Sequence, residues 1–194
     1  MGFRAHSGWA ALVAVAGPPR SPAVIERRRI VLVNPGTPRQ PYHAAEGLDL
    51  KEAGKLVERS IDEARLLARQ ALRAVIRDIQ KKGQAVVGCG LLLASGRPLT
   101  TLAATLASHA LIHTAEGELF RDALTHAGAH CGLPVTGVKE RELFARGAAG
   151  IGLSVDELER HITGMGRPIG PPWRQDEKYA ALAGWLALAA AARR

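Results

Sequence analysis

The stretch that most constrains the fold of this 194-residue chain runs from Leu48 to Lys82. Leu50, Ala53, Val57, Ala64, Leu67, Ala68, Ala71, Leu72, Val75 and Ile79 follow helical spacing. Glu58, Arg59, Asp62, Arg65 and Arg69 fill the other side as a solvated face. Asp49 is the expected N-cap, Glu52 three residues on gives a capping-box pattern, and Gly83 is a natural stop. Ala85 to Ala94, AVVGCGLLLA, then runs apolar without a polar break. Such a run fits a strand buried on both faces, as in a parallel sheet between helices. Gly88 and Gly90 inside it predict close backbone approach, and Cys89 between them reads as a small core residue.

The remaining chain supplies the layers around that strand. Gly2 to Ala16 reads as a first strand, broken by Gly17-Pro18-Pro19, and Ala23 to Val33 as a second. Arg27, Arg28 and Arg29 alternate faces on it, so they cannot share one ligand. Asn34 to Gly47 is a Pro/Gly-rich loop. Its Tyr42-His43 pair either approaches a site or pins the loop, and pinning is the preferred reading. Ser95-Gly96-Arg97-Pro98 is a turn. Leu99 to Cys131 is helical, in one piece or in two joined near Ser108, and Val135 to Val138 is a short strand. Lys139 to Phe144 leads into a glycine-rich stretch with Gly147, Gly150 and Gly152. Helices follow at Ser154 to Thr163, opened by Ser154 and Glu157, and at Gln175 to Ala192, with a loop over Gly164 to Trp173 between them. Two pairing strands followed by strand–helix alternation give an α/β fold of mixed sheet direction, in one domain spanning residues 1–194.

Composition narrows the class. A hydrophobic share of 47% excludes wholesale disorder. The formal charge of +8 favours a phosphate-bearing partner such as nucleic acid. Two separated cysteines, Cys89 and Cys131, point to reduced thiols and a cytoplasmic protein. No apolar run reaches the ~20 residues that span a bilayer. Trp9 to Ala16 loosely imitates a signal peptide but reads better as a strand.

The polar residues that need explanation lie in SHALIHTAEGELFRDAL, Ser108 to Leu124. On a helix, His109, His113 and Glu116 fall within roughly 60° of one another, close to the stripe of Leu102, Leu106, Phe120 and Leu124. They are therefore expected to point inward. The H-x3-H-x2-E spacing lets one metal use all three, and imidazole with carboxylate favours Zn, Mn, Fe or Ni over Mg or Ca. Asp176, at the start of the last helix, would close such a site from across a cleft, or simply cap that helix. Without metal, a His–Glu pair can orient a general base. The plainer alternative is a buried polar network bonded to Arg4, His6 or backbone. Lys139, Arg141, Arg174 and Lys178 are candidates for a phosphate-tracking groove, joined by Arg4. His126 and His130 read as surface residues, and Trp173 either stacks a base or anchors its loop.

Four segments together resemble the ribonuclease H-like superfamily, and most the bacterial Holliday-junction resolvases. They are the opening strand with Ser7-Gly8-Trp9-Ala10, the long helix feeding AVVGCGLLLA, the run HCGLPVTGVKERELFARGAAGIGLSVDELERHI, and the closing GPPWRQDEKYAALAGWLAL. The resemblance implies a ribonuclease H-like mixed sheet with flanking helices. It also implies two divalent metals held by acids on the first strand, the fourth strand and the last helix. This chain departs from that pattern. Gly2, Phe3 and Arg4 stand where the first acid is wanted, Ala85 to Ala94 has none, and Asp176 is followed by Tyr179 instead of a second aspartate. The expectation is thus a nucleic-acid-processing protein, a nuclease using divalent metal (Mg, Mn or Zn). Its displaced site would take His109, His113, Glu116 and Asp176 as ligands, with Glu116, Asp176 and His113 in catalysis. The alternatives are an inactive binding or assembly module of the same fold, and a small-molecule hydrolase or metal-binding protein on that scaffold. The oligomeric state stays open, a dimer included.

Overall fold

Gly8, with φ of 80°, turns the first apolar segment back on itself. The single strand expected over Gly2 to Ala16 is instead a hairpin, β1 (Gly2–His6) and β2 (Trp9–Ala16), in which His6 pairs with Trp9. Glycine enters the left-handed region at little cost, so two residues suffice to reverse the chain. The computed structural model describes residues 1–96 and 100–193. The turn expected at Ser95-Gly96-Arg97-Pro98 and the helix start at Leu99 reach outside the described residues. β3 (Ala23–Val31) pairs antiparallel with β2, while β4 (Cys89–Leu93) joins β1 in parallel and β5 (Val135–Lys139) joins β4 in parallel. The sheet order is β3-β2-β1-β4-β5.

Helices cover both faces. On one lie α2 (Leu50–Lys81) and α4 (His109–His130), packed against each other and against Phe3, Leu12, Ala14 and Leu91. The short helices α1 (Pro41–Ala44) and α3 (Leu102–Leu106) flank them. On the other face lie α5 (Leu143–Ile151), α6 (Val155–Met165) and α7 (Gln175–Ala191), packed against Val13, Val15, Leu92 and Val138. Leu12 and Val13 go to different layers because neighbouring strand residues alternate faces. The helical region expected up to Cys131 is the two-piece version, joined at Ser108. The glycine-rich stretch is helical over most of its length. Gly147 lets α5 approach Leu158 and Leu182, and Gly152, at φ 79°, ends it.

Local signals set the helix ends. The Asp49 carboxylate accepts the N–H groups of Lys51 and Glu52 at 3.0 and 3.1 Å, while Glu52 pairs with Lys55 instead of closing the box. Ser154 and Glu157 complete theirs. The close approach expected at Gly90 is present. Gly90 pairs with Gly2 across β4 and β1, and a Cβ on either would collide with the α7 carbonyls of Ala183 or Ala180. α7 thus lies directly on two strands, which fixes where its first turn, carrying Asp176, can be. Cys89 is wholly buried, and burial pushes its thiol up to about 11, far from a reactive thiolate at neutral pH. Among the described residues no helix is long and apolar enough to cross a membrane.

Candidate functional site

β1 sends Gly2, Arg4 and His6 to the α7 side, and there Arg4 meets two acids. Its Nε and Nη2 donate to the Glu140 carboxylate at 3.2 and 2.9 Å, and its Nη1 donates to Asp176 Oδ1. His6 Nε2 lies 2.9 Å from the same Asp176 oxygen. Its ring stacks on Trp9 at 4.3 Å, and the Arg29 guanidinium sits 3.7 Å over Trp9. The result is one continuous chain of contacts, Glu140–Arg4–Asp176–His6–Trp9–Arg29, across the end of three strands. Burial alone would push the Asp176 carboxyl up. Hydrogen bonds and charge from His6 and Arg4 outweigh it and hold the group below the usual carboxylate value. Burial likewise opposes the charge on Arg4, but Glu140 and Asp176 raise its pKa.

A second cluster forms on the α4 side. The loop after β3 brings His43, in α1, to His109 and His113 at the start of α4. One ring nitrogen from each lies within 4.8 Å of the other two. The Nε2 atoms of His109 and His113 are 3.0 Å apart. Glu116, one turn on, is 2% exposed. Its Oε1 accepts the backbone N–H groups of Tyr42 and His43 at 2.8 and 3.0 Å and lies 3.4 Å from His43 Nδ1. Burial pushes the Glu116 carboxyl up, against the lowering pull of those bonds.

Several expectations are corrected here. His109 and His113 are exposed instead of inward-facing, although Phe120, Leu124 and Ala127 at similar helical angles are buried. The short α1, which carries His43, packs against this part of α4 and leaves His109 and His113 exposed, so the stripe leaves the main core before it reaches them. Glu116 does point inward, but its bonded oxygen is taken by loop backbone, so it supports His43 in place of joining the histidines as a ligand. Asp176 is no partner of Glu116, because α7 and α4 pack on opposite faces of the sheet. The single site of His109, His113, Glu116 and Asp176 is therefore not assembled. Arg4, expected to contact phosphate, spends its guanidinium on Glu140 and Asp176.

The other candidates are scattered. Lys139 and Arg141 are exposed at and after the end of β5, with Arg141 3.6 Å from Glu142. Arg174 is exposed at the N-cap of α7, and Lys178 Nζ lies 3.4 Å from Thr163 Oγ1. Trp173 donates its Nε1–H to the Ile162 carbonyl at 2.7 Å, so it anchors its loop. Arg27 donates to the carbonyls of Gly170, Pro171 and Pro172, and Arg28 to Glu26 and Asp78, on opposite faces as expected. Sequence reasoning missed Glu140 and Trp9 as members of the Arg4 cluster and His43 as the third histidine. The one signal for His43 was its place in a proline-rich loop, and nothing local tied that loop to α4.

No family model matches the sequence, and no curated protein matches it. Solved structures do. RuvC of Thermus thermophilus in complex with a Holliday junction substrate superposes with a TM-score of 0.54 at 11% identity, covering 99% of this chain and 93% of that one. A second structure of Thermus thermophilus RuvC gives 0.51 at 13% identity, over 99% and 94%. The fold is ribonuclease H-like. Where the resemblance calls for an acid on the first strand, β1 carries Gly2, Phe3 and Arg4. The fourth strand presents Cys89, Gly90 and Leu91. The one acid retained on the last helix, Asp176, is already bonded to Arg4 and His6. These residues do not fit two divalent metals: a guanidinium stands among the groups that would have to be anionic.

Proposed function

We propose that this protein binds nucleic acid on a ribonuclease H-like scaffold and does not cut it through the two-metal centre that the fold suggests. The observation that carries this reading is Arg4 seated between Glu140 and Asp176. A cation fixed there neutralises the two acids, the part that metals would otherwise play. Charge and shape support the binding half. The chain carries +8 formally. Trp9 lines two grooves: Arg27, Arg28, Arg29 and Arg174 outnumber Asp176 and Glu177 in one, and Arg29 and Arg39 line the other. Arg29, Arg39 and Arg174 are exposed and have no acidic partner within salt-bridge distance among the described residues. Cations along a groove beside an aromatic ring suit a phosphate backbone and an unstacked base.

Fluorescence anisotropy with a labelled four-way DNA junction, and with single-stranded DNA and RNA, tests this over a range of salt. Affinity is expected to fall steeply as salt rises. Arg29→Ala and Arg174→Ala should each reduce the slope of log K against log salt by about one phosphate contact. The same substrates should stay intact with Mg or Mn. Metal-dependent cleavage by the unmodified chain, or binding indifferent to salt and to both substitutions, would sink the reading.

A further inference from the structure

The histidine cluster is separate from the Arg4 cluster and lies on the other helical layer. Three imidazoles from two distant segments meet edge to face, with ring centroids 4.5, 4.8 and 5.5 Å apart. A tetrahedral ion with nitrogen ligands at about 2.0–2.1 Å sets those nitrogens roughly 3.3 Å apart. His109 and His113 are already at 3.0 Å, at the i, i+4 spacing that presents two ligands on one side of a helix. The third ligand comes from a loop held in place by the same helix.

Glu116 is the second, independent observation. It is a buried carboxylate whose only basic side-chain neighbour among the described residues is His43. Its Oε2 is buried without a hydrogen-bond partner. A carboxylate left this way is costly unless a positive charge nearby compensates it. Here it faces Nδ1 of His43 and fixes the N–H groups of Tyr42 and His43. With the proton on Nδ1, Nε2 keeps its lone pair for a metal. A carboxylate behind a metal-bound histidine serves this purpose, and the charge of the ion would in turn balance Glu116.

We propose that His43, His109 and His113 together bind one ion of the zinc class (zinc, cobalt, nickel or copper), with Glu116 as a positioning residue behind His43. Three neutral nitrogens select these ions over magnesium and calcium, which prefer oxygen. Both α4 histidines are exposed, so the fourth position of the ion stays open to water. Three protein ligands plus water is the arrangement in which zinc remains accessible to an exchangeable ligand. The ion would also clamp the loop that carries α1 onto the first turn of α4. This site does not depend on nucleic-acid binding, and its test reads metal alone.

The full chain, prepared without a histidine tag and stripped with chelator, should take up one zinc or one cobalt ion per chain in calorimetry. Cobalt should show the visible absorption of a four-coordinate site. His109→Ala and His113→Ala remove exposed side chains, so both variants should fold, and each should weaken binding by more than about 100-fold. Glu116→Gln keeps an acceptor for the loop N–H groups and should cost roughly 10–100-fold. His126→Ala, in the only other close histidine pair among the described residues, should change nothing. A chain that takes up no zinc at micromolar concentration overturns the proposal. So does unaltered binding in His109→Ala and His113→Ala, or displacement of zinc by millimolar magnesium.

Discussion

Substituting Gly90 by valine is expected to lower the melting temperature by at least about 6 °C. Gly90 and Gly2 are register partners on neighbouring strands, and the backbone of α7 rests on both. Gly184, on α7 itself, leaves room for the Met1–Gly2 backbone from the other side. Nothing soft separates these segments. A new side chain at 90 meets the Ala183 carbonyl, which cannot rotate aside as a side-chain tip can. Overpacking of a well-packed core costs roughly 1–3 kcal/mol, and contact with backbone belongs at or above the top of that range. At about 2–4 °C per kcal/mol for a chain of this size, the melt should move visibly. α7 is the element that would move, so Asp176 should leave Arg4 and His6, and the acid sensitivity of the protein should change with it. Calorimetric melts of the variant and of the unmodified protein decide the matter. A Gly90→Val melt within about 1 °C of the unmodified protein would show that α7 is not seated on the strands as described.

Arg4→Asp should have the second large effect, and it probes the proposed function directly. Arg4 now neutralises Glu140 and Asp176, whose side chains are 40% and 28% exposed. An aspartate in its place would put three carboxylates together. Breaking a buried pair costs about 3–5 kcal/mol, and partial exposure of both acids puts the expected loss near about 3 kcal/mol at neutral pH. The pH dependence should change sign. In the unmodified protein Asp176 titrates below its unfolded value, so its contribution is present above that value and is lost as pH falls through the folded pKa. In Arg4→Asp the clustered acids should hold protons more tightly than in the unfolded chain, so that stability rises as pH falls toward the carboxylate range. Manganese or magnesium should restore much of the neutral-pH loss, because the residues would then form an acidic cluster. Chemical denaturation at pH 4 and pH 7, with chelator or with manganese, reads all three effects. Unchanged stability at pH 7 would mean that Arg4 is a bystander and that another group keeps the acids apart.

The two clusters divide what is readable locally from what is not. The absence of acids from Gly2–Arg4 and from Ala85–Ala94 is a fact of the sequence, and so is the placement of Asp176 at a helix start. The long α2, the apolar β4 and the capping box of α6 follow from periodicity and end signals, because each depends on residues within one or two turns. Gly90 announced a close approach for the same reason. The misreadings share a different cause. Periodicity gives the angle of a residue around a helix but not how far along its axis the packed layer extends. His109 and Ala127 share an angle, and only Ala127 is buried in the main core.

Short-range alternation and residue identity suffice for the layered α/β architecture and for the absence of acids from Gly2–Arg4 and Ala85–Ala94. Tertiary structure alone decided the rest. It put Glu116 and Asp176 on opposite faces, spent Arg4 on Glu140, and brought His43 to His109 and His113. Each of those pairings joins segments far apart in the chain, and their meeting is fixed by how helices seat on the sheet, which no local pattern encodes.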